Sequence, residues 1–391
     1  MKVICKFSLF LILGFNLSVY SQQSFIFVEK EGPKGLLKEK YQGLVSEKGD
    51  TIRQGKYSYY FDNGVLQQEG FYVDGKPDSV WITYYETGAR KSLFNYKAGK
   101  KEGEFLFWNP DGTIYQKGEY KNDLLDGILE TFHPNGIVNS RSHYRNGRLS
   151  GISEIFDESQ VLRLKSEYLN DTLNGIWETY YDSGELNYKG KKYKGRYIDT
   201  LYTYYKSGKL KRKVFYNNDG QLDGKLEDFY ENGTLRLVSH YTNGIQNGEF
   251  IEYYSDGKIA EIGTYKNNYK VGEWISYYPN GCMHGRGKFE KGFLNGKWLF
   301  WWPNGSLKQV GEYCNGKACG FWRYYNQNGF LVLAGNYVGD KQNGIWTTFY
   351  PLGKVAGRIN YVNGEAVGVK WLYEIDGTLQ KRFQLKGIDS K

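Results

Sequence analysis

The sequence predicts an all-β protein made of tandem β-hairpins, and three repeating features lead to that fold class. A glycine recurs about every 24 residues, an aromatic residue stands four residues before each mark, and the chain contains 21 Asn-Gly or Asp-Gly dipeptides. A fixed period of this length indicates one supersecondary unit stacked many times. The fourteen marks are Gly64, Gly88, Gly112, Gly136, Gln160, Gly184, Gly208, Gly233, Gly257, Gly281, Gly305, Gly329, Gly353 and Gly377.

The first half of each unit, before the mark, reads as a strand. Stretches such as GIWETYYDSG (Gly175 to Gly184) and GKWLFWWPNG (Gly296 to Gly305) are short, aromatic and closed by turn residues. Five of the seven prolines fall two residues before a marked position, where proline presets φ and glycine accepts a positive φ. Each mark is therefore predicted to be a tight turn.

The second half, after the mark, reads as the partner strand. An apolar residue stands two positions after the mark, a small residue often six after, and an aromatic eight after, as in Leu307, Gly311 and Tyr313. The register expected for the hairpin strands places the tryptophan of one repeat opposite the small residue of the preceding strand, so that the ring covers a bare glycine. A second turn, such as the one around Asn315-Gly316, leads into the next unit.

About 14 units of two strands predict an elongated, twisted antiparallel sheet or solenoid without a deep globular core. We expect the array to span residues 51–385, with a leader or cap at 22–50 and a tail at 386–391. Residues 150–225 contain the degenerate units, and a bend or functional interruption there is one interpretation, with neutral drift as the other.

The N-terminus has the pattern of a secretory signal peptide. Lys2 and Lys6 precede an apolar run, Phe7 to Phe15. Small or polar residues then lead to a cleavage site after Ser21. Residues 1–21 are therefore predicted to be removed on export, which places the protein in the periplasm, on the cell surface or outside the cell.

Removal of the signal leaves three cysteines, two of which flank a predicted hairpin turn. Cys314 and Cys319 could face each other across that hairpin, and an oxidising compartment would favour a disulfide between them. The alternative is that they are two unpaired small residues.

The chain lacks the motifs of catalytic and metal sites. No G-x-S-x-G elbow, H-E-x-x-H pair or phosphate-binding glycine loop occurs, and the four histidines share no ligand spacing. We therefore expect no enzymatic activity, no cofactor and no metal.

The formal net charge of +9 is modest for a chain of 391 residues. A mild basic rim could favour an anionic lipid, a glycan or an acidic protein, although such charges more often only solvate loop tips. Export argues against nucleic acid as the partner.

The 24-residue period, the G-x-W-x-x-Y-Y-x-x-G core and the following G-x-Y-x-N-G-K-x-x-G resemble the variant MORN repeat of bacteria, which is related to the membrane occupation and recognition nexus motif. The resemblance covers residues 51–385, and GEWISYYPNG (Gly272 to Gly281) is among its best units. It implies stacked β-hairpins and a scaffold or binding role, with lipid association proposed for some relatives. Some members carry the label of putative toxin–antitoxin antitoxin, and the resemblance implies no catalytic residue.

Two functions follow as hypotheses. The first is a non-enzymatic, exported scaffold that binds a protein or cell-envelope component. The second is a carbohydrate or cell-wall binding module that grips its ligand with aromatic hairpins, for which Trp298, Trp301 and Trp302 are the candidate residues. An antitoxin-like protein that binds a partner toxin is a further alternative.

Overall fold

The computed structural model describes residues 3–7, 25–32, 34–46 and 49–385. Most of the predicted signal peptide and the predicted tail at 386–391 lie outside the described residues. The chain divides into two compact units, residues 1–195 and 196–391, and the predicted array extends over both.

The described residues of the first unit form sixteen strands, and consecutive strands pair antiparallel, except that β10 and β11 both pair with β9 and not with each other. The strands are β1 (Val3–Phe7), β2 (Phe25–Glu31), β3 (Leu37–Val45), β4 (Thr51–Tyr60), β5 (Leu66–Val73), β6 (Lys76–Tyr84), β7 (Arg90–Lys97), β8 (Lys100–Trp108), β9 (Ile114–Lys121), β10 (Leu124–Leu125), β11 (Gly127–Phe132), β12 (Val138–Arg145), β13 (Arg148–Phe156), β14 (Leu162–Leu169), β15 (Thr172–Tyr180) and β16 (Leu186–Tyr193).

The second unit follows the same rule, with sixteen strands paired in sequence order and one 3₁₀ turn at Pro351–Gly353. The strands are β17 (Arg196–Tyr204), β18 (Leu210–Tyr216), β19 (Leu222–Phe229), β20 (Leu235–Thr242), β21 (Ile245–Tyr253), β22 (Ile259–Lys266), β23 (Tyr269–Tyr277), β24 (Met283–Glu290), β25 (Phe293–Trp301), β26 (Leu307–Cys314), β27 (Lys317–Tyr325), β28 (Leu331–Val338), β29 (Lys341–Phe349), β30 (Val355–Val362), β31 (Glu365–Tyr373) and β32 (Leu379–Gln384).

The predicted all-β class with tandem antiparallel hairpins is confirmed, and the described residues contain no α-helix. The segment predicted as a leader contains β2 and β3, and β3 pairs with β4. Residues 3–7, inside the predicted signal peptide, form β1 and pair with β2.

Both predicted turns occur with the geometry that their residues favour. At the marked turn, the Gly112 N–H donates to the carbonyl of Asn109 (2.9 Å), and Gly112 has a φ of +88°. At the second turn, Asn315 and Gly316 have φ values of 50° and 82°, as a two-residue type I′ hairpin requires. The two turns alternate along the chain and fix the lengths of the strands between them.

Tryptophan rings lying on backbone glycines form the core of the later repeats. Trp322 is 2% exposed, and a Cβ added to Gly311 would lie 2.0 Å from its ring. Gly311 sits at a bulge in the strand before Trp322 and also pairs in register with Trp298 of its own hairpin. The expected covering of a preceding-strand glycine by an aromatic ring is therefore present, and the same glycine also has a tryptophan as its direct cross-strand partner.

The rings of the second unit also contact one another in an unbroken series. Neighbouring ring centroids lie 4.9 to 6.5 Å apart with interplanar angles of 70° to 90°, the edge-to-face arrangement that aromatic pairs prefer. We call this series the aromatic ladder, and its members are Phe250, Tyr265, Trp274, Phe289, Trp298, Tyr313, Trp322, Tyr337, Trp346 and Tyr361.

Gly311→Ala should destabilise the second unit by about 1–3 kcal/mol, because the added methyl group would overlap the Trp322 ring. The midpoint of urea unfolding, followed by tryptophan fluorescence, measures this loss. In a Trp322→Leu background the same substitution should cost much less, and equal costs in the two backgrounds would contradict the packing assigned to the ring. Ser166→Ala, at the equivalent buried position of another repeat, adds no atom and is the matched control.

Gln160→Gly should stabilise the first unit by about 0.5–1 kcal/mol, because Gln160 is exposed and holds a φ of 66° that favours glycine. The reverse change one repeat earlier, Gly136→Gln, should destabilise the unit by a similar amount, because Gly136 has a φ of +81°. A Cβ added there would have no atom within 4 Å, so the cost comes from the backbone conformation alone. Thermal unfolding midpoints measure both, and shifts of the same sign would contradict this account of the turn.

Candidate functional site

In nine of the fourteen repeats a phenylalanine, tyrosine or tryptophan stands three positions before the mark, and we call it the turn aromatic. In at least seven of these repeats it connects one repeat to the next through a hydrogen bond. Its polar atom donates to the carbonyl oxygen four residues before the following mark, as when the Tyr254 hydroxyl donates to Tyr277 (2.7 Å). The distances lie between 2.7 and 3.0 Å in the pairs of Tyr85 with Trp108, Tyr205 with Phe229, Tyr230 with Tyr253, Tyr254 with Tyr277, Tyr278 with Trp301, Trp302 with Tyr325 and Tyr350 with Tyr373.

The three predicted carbohydrate-binding tryptophans each have contacts within the chain. Trp298 is 6% exposed as a member of the aromatic ladder, and its indole N–H donates to the carbonyl of Lys288 (3.1 Å). Trp302 is half-buried and is a turn aromatic whose indole N–H donates to Tyr325 (3.0 Å). Trp301 is half-buried opposite Leu307. Their role in carbohydrate binding stays a prediction.

Cys314 and Cys319 are joined by a disulfide in the structure, with their Cα atoms 5.9 Å apart. The bond links β26 to β27 beside the Asn315-Gly316 turn. Another cysteine, Cys282, is free and half-buried. The bond closes a local hairpin and brings no other candidate site residue to it.

The clearest candidate site is a groove of about 350 Å³ in the second unit, formed by residues of consecutive repeats. This volume is within the range of small-ligand sites. We call it the tyrosine–carboxylate groove, and it is lined by Tyr230, Glu252, Tyr253, Tyr254, Ala260, Glu261, Ser276, Tyr277 and His284.

The groove exists because a small residue stands where neighbouring repeats have a large one. The position three residues after the mark, here called the cover position, is Ala260 in this repeat. It is Arg236 in the preceding repeat, His284 in the following one and Lys308 in the next. The His284 ring packs against Tyr278 with centroids 4.7 Å apart, whereas the methyl group of Ala260 is too short to cover Tyr254 in that way.

Two carboxylates face each other in the groove. Glu252 on β21 and Glu261 on β22 are directly opposite in the strand register, and both are half-buried. Lys270 donates to Glu261 (2.8 Å), but Glu252 has no side-chain hydrogen bond or ion pair within the part of the chain that the structure describes. Like charges in this position repel each other, so the groove carries unbalanced negative charge.

Tyrosine groups in and beside the groove respond to that charge. Burial, and then the charges of Glu252 and Asp256, raise the pKa of the Tyr254 hydroxyl. Burial, with Glu261 as the next cause, raises the pKa of Tyr265. Tyr253 and Tyr277 also line the groove, and their backbone carbonyl oxygens accept the hydroxyl hydrogen bonds of Tyr230 and Tyr254.

In the preceding repeat, arginines of the chain neutralise the equivalent carboxylate. Asp228, which stands at the same repeat position as Glu252, is 3% exposed and accepts two hydrogen bonds from Arg212 (2.5 and 2.8 Å) and a further one from Arg236. Burial alone would raise the pKa of the Asp228 carboxyl, but the hydrogen bonds and charges of the two arginines hold it below its usual range. Glu252 has no such partner.

Two other open cavities, of about 420 and 430 Å³, are less suited to a ligand. In the first, Lys117 and Arg141 both bind Glu130 and no aromatic ring lines the space. In the second, Lys225 binds Glu227 at 2.6 Å. The Glu130 and Glu227 carboxylates of these cavities are therefore already paired within the chain.

No group of three or more His, Cys, Asp or Glu residues in the described ranges is arranged to hold a metal ion. Within the same residues, no helix has the length and apolar character of a membrane span.

The sequence reasoning missed the groove. Its signals were present in the repeat alignment, as an alanine at one cover position and glutamates at 252 and 261. Their meaning depends on which residues become cross-strand neighbours, which the period alone does not show.

Tandem hairpins with repeat-to-repeat contacts define a β-hairpin repeat protein. The MORN repeat variant model matches ten segments that together cover more than half of the sequence, and the chain belongs to that family. The matched segments are 53–74, 101–122, 125–146, 173–194, 200–218, 222–243, 246–267, 270–289, 294–315 and 342–363. MORN repeats form non-catalytic scaffolds, and the groove lies within the matched region.

No curated protein matches the chain. Among solved structures, a crystal structure of TcdB2-TccC3-Cdc42 is similar at 12% identity and a TM-score of 0.16, over 90% of this chain and 25% of that one. A structure of the Photorhabdus luminescens Tc holotoxin pore gives 12% identity and a TM-score of 0.15, again over 90% and 25%. The chain spans about a quarter of the length of these proteins, and scores this low carry no argument about fold or function.

Asp228→Asn should destabilise the second unit at pH 7 by about 2 kcal/mol, because both arginines lose their buried anion. Since the folded-state pKa of Asp228 lies below its ordinary value of 3.8, its stabilisation is present above that value and is lost as pH falls through the lowered pKa. The difference between variant and wild type should therefore shrink in urea titrations at successively lower pH.

Asp256→Asn is the matched control for this prediction. Asp256 is solvent-exposed, and the amide oxygen of asparagine can keep its contact with the Lys258 N–H, so little change in unfolding midpoint is expected. A pH-independent difference for Asp228→Asn would contradict the assigned ionisation.

Proposed function

We propose that the protein is a non-enzymatic, exported repeat scaffold that binds a protein or another component of the cell envelope. The observation that carries the proposal is the tyrosine–carboxylate groove, where aromatic rings and Glu252, which has no side-chain partner among the described residues, border open space. At Tyr85, Tyr205 and Trp302 a lysine of the chain covers the equivalent ring. Export rests on the N-terminal signal pattern.

Repetition supports binding over catalysis. The hydrogen bonds of the turn aromatics and the contacts of the aromatic ladder recur from repeat to repeat. Packing therefore accounts for most of the residue types that recur along the chain. The groove contains carboxylates, tyrosines and one histidine, but Ser276 contacts His284 at 3.1 Å without a third residue arranged as in a nucleophilic triad. Binding of a partner requires only the aromatic and carboxylate groups that line the groove.

Site-directed crosslinking in the source cells tests this function. A photoreactive amino acid replaces His284, which is exposed at the groove, and the matched control carries it at the exposed Phe321. We expect an adduct with one reproducible protein in the envelope fraction from position 284 and not from position 321.

Uncleaved protein found only in the cytosol, with its adduct there, would overturn the export proposal and favour the antitoxin-like alternative. A carbohydrate adduct without a protein would favour the cell-wall binding alternative. Absence of any adduct from both positions would contradict the scaffold function.

A further inference from the structure

Three other repeats show which chemical group fits the space above a turn aromatic. In each of them a lysine at the cover position places its ammonium nitrogen over the ring, at 5.6 Å for Lys91 on Tyr85, 5.5 Å for Lys211 on Tyr205 and 4.6 Å for Lys308 on Trp302. These separations are those of cation–π contacts. The fold thus repeatedly places a cation at this point.

The repeat of Tyr254 has the ring but lacks the cation. Ala260 occupies the cover position, and the space that a lysine side chain fills elsewhere is part of the groove. Glu252 borders the same space without a partner among the described residues. An incoming cation would therefore meet both an aromatic ring and a carboxylate.

A second uncovered turn aromatic shows that the carboxylates set this site apart. Ala356 stands at the cover position of Tyr350, but the residues equivalent to Glu252 and Glu261 are Thr348 and Gly357. The repeat of Tyr350 therefore offers an open ring without the negative charge that would attract a cation.

The charge around the groove extends beyond a single side chain. The segment 227–261 contains seven acidic residues, and four of them are paired with cations of the chain. The other three have no ion pair among the described residues, and they are Glu231, Glu249 and Glu252. Glu231 and Asp256 are exposed in turns on either side of Glu252 along the chain. Such a surface is complementary to a partner with more than one positive charge.

We propose that the tyrosine–carboxylate groove binds a lysine or arginine side chain from an extended basic segment of a partner protein. The cationic group lies over the Tyr254 ring and donates to Glu252. The proposal rests on the scaffold function above and names the chemistry of its partner.

Fluorescence anisotropy with a labelled eight-residue peptide of alternating lysine and serine tests the proposal, with the corresponding glutamate–serine peptide as the charge control. Glu252→Gln should weaken binding of the lysine peptide at least about tenfold, because a charge-assisted hydrogen bond is lost. Ala260→Lys should weaken it at least as much, since the new ammonium group fills the groove from within the chain.

Lys308→Ala is the matched control, because it uncovers Trp302 in a repeat where Phe300 stands at the position of Glu252. This variant should bind the lysine peptide as the wild type does. Circular dichroism and unfolding midpoints equal to wild type would show that Glu252→Gln and Ala260→Lys leave the fold intact.

Equal affinity for the lysine and glutamate peptides, or unchanged affinity in both groove variants, would overturn the proposal. Binding of tetramethylammonium at this site without the peptide would also overturn it in favour of a small ammonium ligand. If Ala260→Lys still forms the envelope crosslink that the wild type forms, the groove assignment fails while the scaffold function stands. If the wild type itself forms no envelope crosslink, the scaffold function is contradicted.

Discussion

The packing of a tryptophan ring on a backbone glycine is the contact on which the later repeats depend. Trp322 can be buried to 2% exposure in an array of single hairpins only because Gly311 has no side chain beneath it. The ring then contacts the Tyr313 and Tyr337 rings edge to face, which passes the packing from one repeat to the next. A hairpin of another length would move the ring away from its glycine, so this contact favours the 24-residue spacing of the later repeats.

Much of this architecture could be predicted from the sequence, because turns and strand faces are set by local chemistry. Asn-Gly dipeptides specify type I′ hairpins, and Asn315-Gly316 has the required positive φ values. The hydrogen bond of Trp302 to Tyr325 could not be predicted, since it depends on the position of a carbonyl group in a neighbouring strand. The groove was harder still to predict, because it arises from the small size of Ala260 and from an unpaired charge.

Function in such an array is best sought where a repeat departs from the contacts of its neighbours. Asp228 is enclosed by Arg212 and Arg236, whereas the equivalent Glu252 in the next repeat has no partner among the described residues. Three other turn aromatics are covered by lysines of the chain, whereas Tyr254 is not. Both departures coincide in one groove, and together they leave room and charge for a cation that the chain does not supply.

The most direct test of this account is a crystal structure of the full chain with the lysine–serine peptide bound. The account predicts a lysine ammonium group within about 6 Å of the Tyr254 ring centroid and in hydrogen-bond contact with Glu252, with the Trp322 ring still covering Gly311. A peptide bound elsewhere on the chain, with the groove empty or closed by a neighbouring side chain, would contradict it.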